Sequence, residues 1–322
     1  MARKNKLKFC VIGCGNISLK YFIDALKISD KSDIVVCVDH TDRKRQLVKE
    51  RFELPLETDF DYTLNNYDFD AVYLATPTGL HKEYAITAAQ NGKHILCEKS
   101  LASNFTDAEE MINSAKNNAV AIFEGFMYQF HNQNIYVSKL LKKGLIGEVN
   151  LVNAWFGFPP RGKYDFRLNK QKGGGGLLDA AAYPLHFARN IFKSEPTKVD
   201  ANIKTENGID ISGIINLTFS ENRNAQLAFS MNTFYKNKYE LWGNKGNIRV
   251  ERAFSVAPEY IPIINLESSK GSEIITLEPD NHFVKEINFF VENCNSTEKQ
   301  NEWYKEALSQ SQLLDSILQK VK

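Results

Sequence analysis

Residues 7–18 read Leu-Lys-Phe-Cys-Val-Ile-Gly-Cys-Gly-Asn-Ile-Ser. A mostly apolar run, long enough for a buried strand, leads straight into two glycines. Leu19, Phe22, Ile23 and Leu26 then follow at helical spacing. Strand, glycine turn and helix in that order is the context a dinucleotide fingerprint requires. Gly13 permits a tight turn and Gly15 lets the backbone approach a pyrophosphate. Asn16 and Ile17 open a helix whose free N–H groups and dipole favour an anion. Ser18 replaces the usual third glycine and is small enough for close helix–strand packing. Asp39 ends the next apolar run, where a carboxylate accepts hydrogen bonds from ribose hydroxyls and repels a 2′-phosphate. The expectation is NAD(H) in preference, with NADP(H) admitted through Arg43. Arg43 and its neighbours Lys44 and Arg45 otherwise read as a solvated first helical turn.

Outward from that stretch the alternation continues. Residues 34–38, 71–75, 94–97 and 120–124 read as further buried strands, and 43–52, 81–91 and 107–117 as helices between them. Near-continuous apolar strands separated by helices predict a doubly wound parallel sheet covered on both faces. Past residue 124 the pattern changes. Helices at 134–143 and 179–192 lie among loops rich in Gly and Pro. Extended stretches then run in succession at 198–204, 211–219, 225–232, 238–242, 247–250 and 274–277, several with period two. They predict an α+β domain on a large, open, mostly antiparallel sheet, and two helices finish the chain, the last spanning 303–321. The boundary falls at residues 1–123 and 124–322, with the last helix packing back on the first domain.

Composition removes several classes of function. In 322 residues, Lys+Arg number 40 and Asp+Glu 39, a formal charge of +1 that points to neither nucleic acid nor an anionic membrane surface. No apolar run approaches the ~20 residues of a spanning helix. The basic start leads to an apolar stretch too short for a signal peptide. The five cysteines (10, 14, 37, 97 and 294) are odd in number and show no CxxC spacing, which reads as reduced thiols, a cytoplasmic chain and no structural metal.

Two further stretches narrow the reading. Residues 75–82 are Ala-Thr-Pro-Thr-Gly-Leu-His-Lys, and residues 92–99 are Gly-Lys-His-Ile-Leu-Cys-Glu-Lys. With the glycine loop, with Glu124–His131, with Gly174–Asp179 and with Phe283–Ile287, they closely resemble the glucose–fructose oxidoreductase/inositol dehydrogenase (Gfo/Idh/MocA) family over nearly the whole chain. The resemblance implies a Rossmann domain followed by a substrate-binding domain, whose open sheet often pairs subunits into homodimers or homotetramers. It implies that Lys99 is the catalytic lysine, beside Glu98, with Ser100 where the family has proline. Asp179 and Tyr183 match the second catalytic motif. Tyrosine in place of histidine resembles the branch of nucleotide-sugar 3-ketoreductases and of xylose and dihydrodiol dehydrogenases. Phe126, Tyr128 and His131 look like the same branch. Thr76 and Pro77 would shape the loop against the nicotinamide, with His81 near the cofactor.

The chemistry is consistent with this. Transfer of a hydride to or from a secondary alcohol needs a group that exchanges the hydroxyl proton. A free phenol titrates near ~10, and a neighbouring ammonium lowers that value. Lys99 is the candidate ammonium and can also hydrogen-bond the substrate oxygen. Asp179 would keep the lysine charged and oriented. On a helix Asp179, Tyr183 and His186 share one stripe, with His186 as an alternative acid. Arg161, Lys163 and Arg167 could grip a phosphate-bearing substrate or form a solvated loop. The leading expectation is an NAD(P)-dependent oxidoreductase of a nucleotide-linked or phosphorylated sugar. The alternatives are a free-sugar or trans-dihydrodiol dehydrogenase and a catalytically silent NAD-binding regulator.

Overall fold

The structure, a computed structural model, describes residues 6–321; the basic residues that open the chain lie outside them. It divides into two compact units. One holds the chain as far as Gly125 together with Phe283–Ser311, and the other holds Phe126–His282 with the segment from Gln312.

The first unit alternates as its sequence predicts, with a short strand at 56–57 and a helix at 60–66 in addition. Its elements are β1 (Leu7–Ile12), α1 (Ile23–Ile28), β2 (Ser32–Val38), α2 (Arg45–Phe52), β3 (Leu56–Glu57), α3 (Phe60–Asn66), β4 (Ala71–Leu74), α4 (His81–Gln90), β5 (His94–Glu98), α5 (Phe105–Asn117) and β6 (Ile122–Gly125). All pairings are parallel, in the order β3-β2-β1-β4-β5-β6. Phe9–Ile12, Val36–Val38 and Ala71–Leu74 are buried, as strands covered on both faces must be. The strand order reverses between β1 and β4, and open α/β sheets bind ligands outside the carboxyl ends of strands at such a point. A π turn, Ser18–Phe22, precedes α1. It brings Phe22 flat against Tyr73 of β4, with ring centroids 3.4 Å apart.

The second unit is built on an eight-stranded sheet. In chain order it contains α6 (Asn132–Lys142), β7 (Val149–Gly157), α7 (Ala182–Phe192), β8 (Lys198–Glu206), β9 (Ile209–Thr218), β10 (Asn224–Ser230), β11 (Lys236–Gly243), β12 (Gly246–Glu251), β13 (Ile263–Ser268) and β14 (Gly271–Thr276). The order is β14-β13-β12-β11-β7-β10-β9-β8, and every pair is antiparallel except β7 with β10. Sequence reading missed β13 and, more seriously, β7. Leu151-Val152 and Trp155-Phe156 break the period-two pattern, because β7 lies mid-sheet and carries large residues on both faces. Val152, Ala154, Phe156, Leu227, Phe229, Tyr239 and Leu241 form the buried face, against which α7 stacks Phe187 on Tyr239 at 4.2 Å.

Two helices follow, α8 (His282–Asn293) and α9 (Thr297–Leu318). Their segment Phe283–Ser311 belongs to the first unit, so α8 returns there as well as the last helix. Trp303 meets Phe123 edge-on at 4.8 Å, and Tyr304 donates its hydroxyl to the Val120 carbonyl.

At Gly13 the turn after β1 passes hard against the turn after β4. Its φ is +94°, and a Cβ there would lie 2.6 Å from the Ala75 carbonyl carbon and oxygen. Gly13→Ala is therefore expected to lower the first unit's unfolding free energy by about 1–3 kcal/mol in urea titration.

Candidate active site

Each unit carries part of the residue set singled out in the sequence. In the first, β1, β2 and β4 end on one turn system. Gly13 N donates to Val38 O at 2.8 Å, Ala75 N to Ile12 O at 2.8 Å, and Ser18 Oγ to Gly13 O at 2.6 Å. The Ser18 hydroxyl thus ties the helix back to the turn. Asp39 is 5 % exposed; it accepts from Cys14 N at 2.9 Å, from Thr41 N at 3.0 Å and from Lys44 Nζ at 2.8 Å. Burial opposes its ionisation, but Lys44 and the two amides outweigh burial and hold the carboxyl below its usual range. Lys44 is therefore a partner of Asp39, not a solvated residue of a first helical turn. The pairing is a correction that spacing alone could not reveal. Arg45 pairs with Asp42.

His81 begins α4 and is 1 % exposed. Its Nε2 lies 2.9 Å from Thr76 O, and its Nδ1 lies 3.1 Å from both Ser100 O and Leu101 O. Burial lowers its pKa more than these carbonyls raise it. The ring laces the Thr76-Pro77 turn to the turn after β5. Lys99 stands there, half-buried at the carboxyl end of β5, and the Lys99–Ser100 peptide is cis. Glu98 accepts from the Tyr73 hydroxyl at 2.7 Å, and Glu124 accepts from Leu101 N at 2.8 Å. The turn at Gly13 admits no side chain, backbone amides open the helix beyond Gly15, and a buried carboxylate closes β2. These residues fit a dinucleotide.

In the second unit, Phe126, Met127 and Tyr128 lie against α7. Phe126 stacks on His186 at 3.8 Å, and the Tyr128 hydroxyl lies 2.7 Å from His186 Nδ1. Burial drives the His186 imidazole well below its ordinary pKa, so it is neutral at neutral pH. His186 is a packed partner of two aromatic rings, which weighs against its use as the acid. Tyr183 is 4 % exposed and donates its hydroxyl to Met127 Sδ at 3.4 Å. Asp179 and Tyr183 do not share one regular helix, because Leu177–Ala181 is a π turn and α7 starts only at Ala182. The Asp179 carboxylate accepts from Arg167 Nε at 2.7 Å, and Arg167 Nη1 reaches Asp165 at 3.1 Å. Burial opposes the Arg167 charge, but Asp179 and Asp165 more than restore it. Arg161 lies over the Phe158 ring at 4.9 Å. His131 is fully buried and caps α6, accepting from Gln133 N at 3.2 Å.

The glycine run before Asp179 is packed on every side. Cβ atoms would lie 2.5 Å from Arg167 O at Gly174, 2.2 Å from Asp210 Oδ1 at Gly175 and 2.8 Å from the Phe229 ring at Gly176. Sequence reading missed Asp210, for which no motif exists; Met127 lies inside the Glu124–His131 stretch, which gives it no role of its own. All five cysteines are free and buried. Among the described residues no cluster of three or more His, Cys, Asp or Glu is placed to hold a metal ion, and no helix is long and apolar enough to cross a membrane.

Comparison with known proteins agrees with this arrangement. Residues 7–126 match the GFO/IDH/MocA oxidoreductase family with an NAD-binding Rossmann fold, and residues 135–249 match the GFO/IDH/MocA C-terminal domain. The chain is 30 % identical over 318 residues to a dTDP-3,4-didehydro-2,6-dideoxy-alpha-D-glucose 3-reductase from Actinomadura kijaniata, covering 98 % of this chain and 96 % of the relative. It is 25 % identical over 317 residues to a D-xylose 1-dehydrogenase (NADP(+)) from Haloferax volcanii, covering 97 % and 96 %. A crystal structure of a 3-ketoreductase from Actinomadura kijaniata, in complex with NADP and TDP-benzene, superimposes with a TM-score of 0.90 at 30 % identity, covering 97 % of each chain. Fold, turn chemistry and the relatives converge: this chain belongs to the GFO/IDH/MocA family of NAD(P)-dependent oxidoreductases acting on CH–OH groups.

Proposed function

We propose that the chain interconverts a ketone and a secondary alcohol on a nucleotide-linked sugar, running as an NAD(P)H-dependent reductase. The observation that supports this reading is the full-length similarity to a dTDP-sugar 3-reductase, and with it we assign Lys99, Asp179 and Tyr183 to the catalytic roles that the resemblance implies. Bound NAD(P)H supplies the hydride. Lys99 hydrogen-bonds the substrate oxygen and stabilises charge developing on it. Tyr183 exchanges the hydroxyl proton at its phenolic oxygen. Asp179 holds Arg167, and Arg167 with Arg161 offers planar donors suited to a diphosphate. The phenyl and phenol rings of Phe126 and Tyr128 form the apolar wall behind Tyr183. A silent regulator would have no use for this proton-transfer set.

With a dTDP-linked 3-keto sugar as substrate, Lys99→Ala and Tyr183→Phe are each expected to lower kcat by about 10²-fold or more. NADPH affinity, read by fluorescence titration, should stay within about twofold. Unchanged turnover in Tyr183→Phe would remove Tyr183 from the proton path.

For the cofactor, Asp39 favours NAD(H). Its bond to Lys44 places a cation there that also accommodates NADP(H). Asp39→Asn should shift the ratio of NADH to NADPH affinity toward NADPH, and Lys44→Ala toward NADH, by about tenfold each in the same titration. Equal ratios in all three proteins would place the discrimination elsewhere.

The open face of the second unit's sheet presents exposed Ile214 and Trp242 and half-buried Trp155. We take it as the surface through which two copies pair, in a cytoplasmic homo-oligomer. Ile214→Glu is expected to leave a monomer in light scattering at micromolar protein, since a charge at the centre of such a patch opposes burial. An unaltered mass would exclude this face.

A further inference from the structure

Asp210 stands at the start of β9, 7 % exposed. Its carboxylate points at the glycine run. Oδ2 accepts from Leu177 N, and Gly176 N bonds the same carboxylate. A Cβ on Gly175 would lie 2.2 Å from Oδ1, so only glycine passes there. Gly175 N donates to Arg167 O at 3.0 Å, and Asp179 N donates to Gly175 O at 3.2 Å. The amides that open a helical segment have no acceptor within it. Here a neighbouring strand supplies the acceptor, at the root of the turn that carries Asp179 and leads into Tyr183.

We infer that Asp210 is the positioning residue for the Asp179–Tyr183 segment: its carboxylate draws in the Gly176 and Leu177 amides and so sets where that segment begins. The inference rests on the proposed function only in assigning chemistry to Asp179 and Tyr183. Burial pushes the Asp210 carboxyl up to about 6, against the pull of these amides and of Lys170. Nearby, Arg167 pairs with Asp165 and Asp179, and Lys204 pairs with Glu206 on β8 beside it. Because the folded pKa is raised, the stability linked to this group is complete below the ordinary carboxylate pKa and is lost as pH rises through about 6. Ionisation therefore costs global stability while strengthening the local bonds, since a charged acceptor binds an amide about twice as strongly as a neutral one.

The full chain and its Asp210→Asn variant should be compared by hydrogen exchange across residues 174–181, from about pH 5 to about pH 8, after correction for intrinsic exchange. In the unaltered chain, protection is expected to fall about tenfold as pH drops through the Asp210 transition. In Asp210→Asn, protection should stay at the lower level throughout, with a Tm at about pH 8 no lower than that of the parent. Binding of dTDP should weaken in parallel, and NADPH affinity should not change. Protection independent of pH in the parent, parent-like protection in the variant, or a variant with a lowered Tm would overturn the inference. So would dTDP affinity indifferent to both changes. If dTDP binds neither protein, the nucleotide-sugar reading falls, and the exchange result alone decides the role of Asp210.

Discussion

The first unit depends on one close approach. The turn after β1 and the turn after β4 lie so near each other that Gly13 has no room for a side chain. Backbone bonds from Gly13 to Val38 and from Ala75 to Ile12 lock the ends of three strands together. That lock lies where the strand order reverses and puts Asp39 where Cys14 and Thr41 can reach it. His81 extends the lock by joining the Thr76 carbonyl of the turn after β4 to the Ser100 carbonyl of a further turn, after β5, which contains Lys99. A cofactor site made this way is held by backbone geometry, and its side chains adjust charge more than shape.

The second unit solves a different problem. Its sheet is wide, and one face must be covered by few elements. Aromatic rings meet this need: Tyr183 and Phe187 of α7 pack edge to face and stacked with Phe126, Tyr128, Phe156 and Phe254, and His186 joins them against Phe126 and Tyr128. Such pairs add about 0.5–1.5 kcal/mol each beyond area burial. Rigidity follows, and Tyr183 sits among rings that fix its orientation.

Local pattern made the first unit readable. Strand–helix alternation and the Gly13–Gly15 turn are each encoded in a short window of sequence, and the structure carries both; Asp39 follows β2 and is buried there. The second unit was readable only in outline. β7 is defined by its neighbours on both sides, β10 and β11, which lie some 70 residues and more further on, and no window of sequence contains that pairing. The side-chain pairs were harder still. Lys44 was read as solvated because a lysine at a helix start usually is, yet a buried carboxylate draws it in. Asp179 accepts from Arg167, twelve residues earlier across a glycine run that only packing explains. His186 has the right spacing to act with Tyr183, but burial decides its charge, and burial is not visible from spacing.

The return of Phe283–Ser311 to the first unit has a consequence for synthesis. Phe123, at the far edge of the parallel sheet, is covered by Trp303, and Val120 is bonded by Tyr304. Roughly 180 residues separate cover from core, which at ribosomal speed is about 10–40 s. Through that interval the nascent Rossmann sheet emerges with an apolar flank and no lid, while the whole of the later sheet is being made. The gene order thus leaves this flank of the first unit uncovered long after the rest of its sheet has been made, and it exposes to chaperones the flank that the finished enzyme hides.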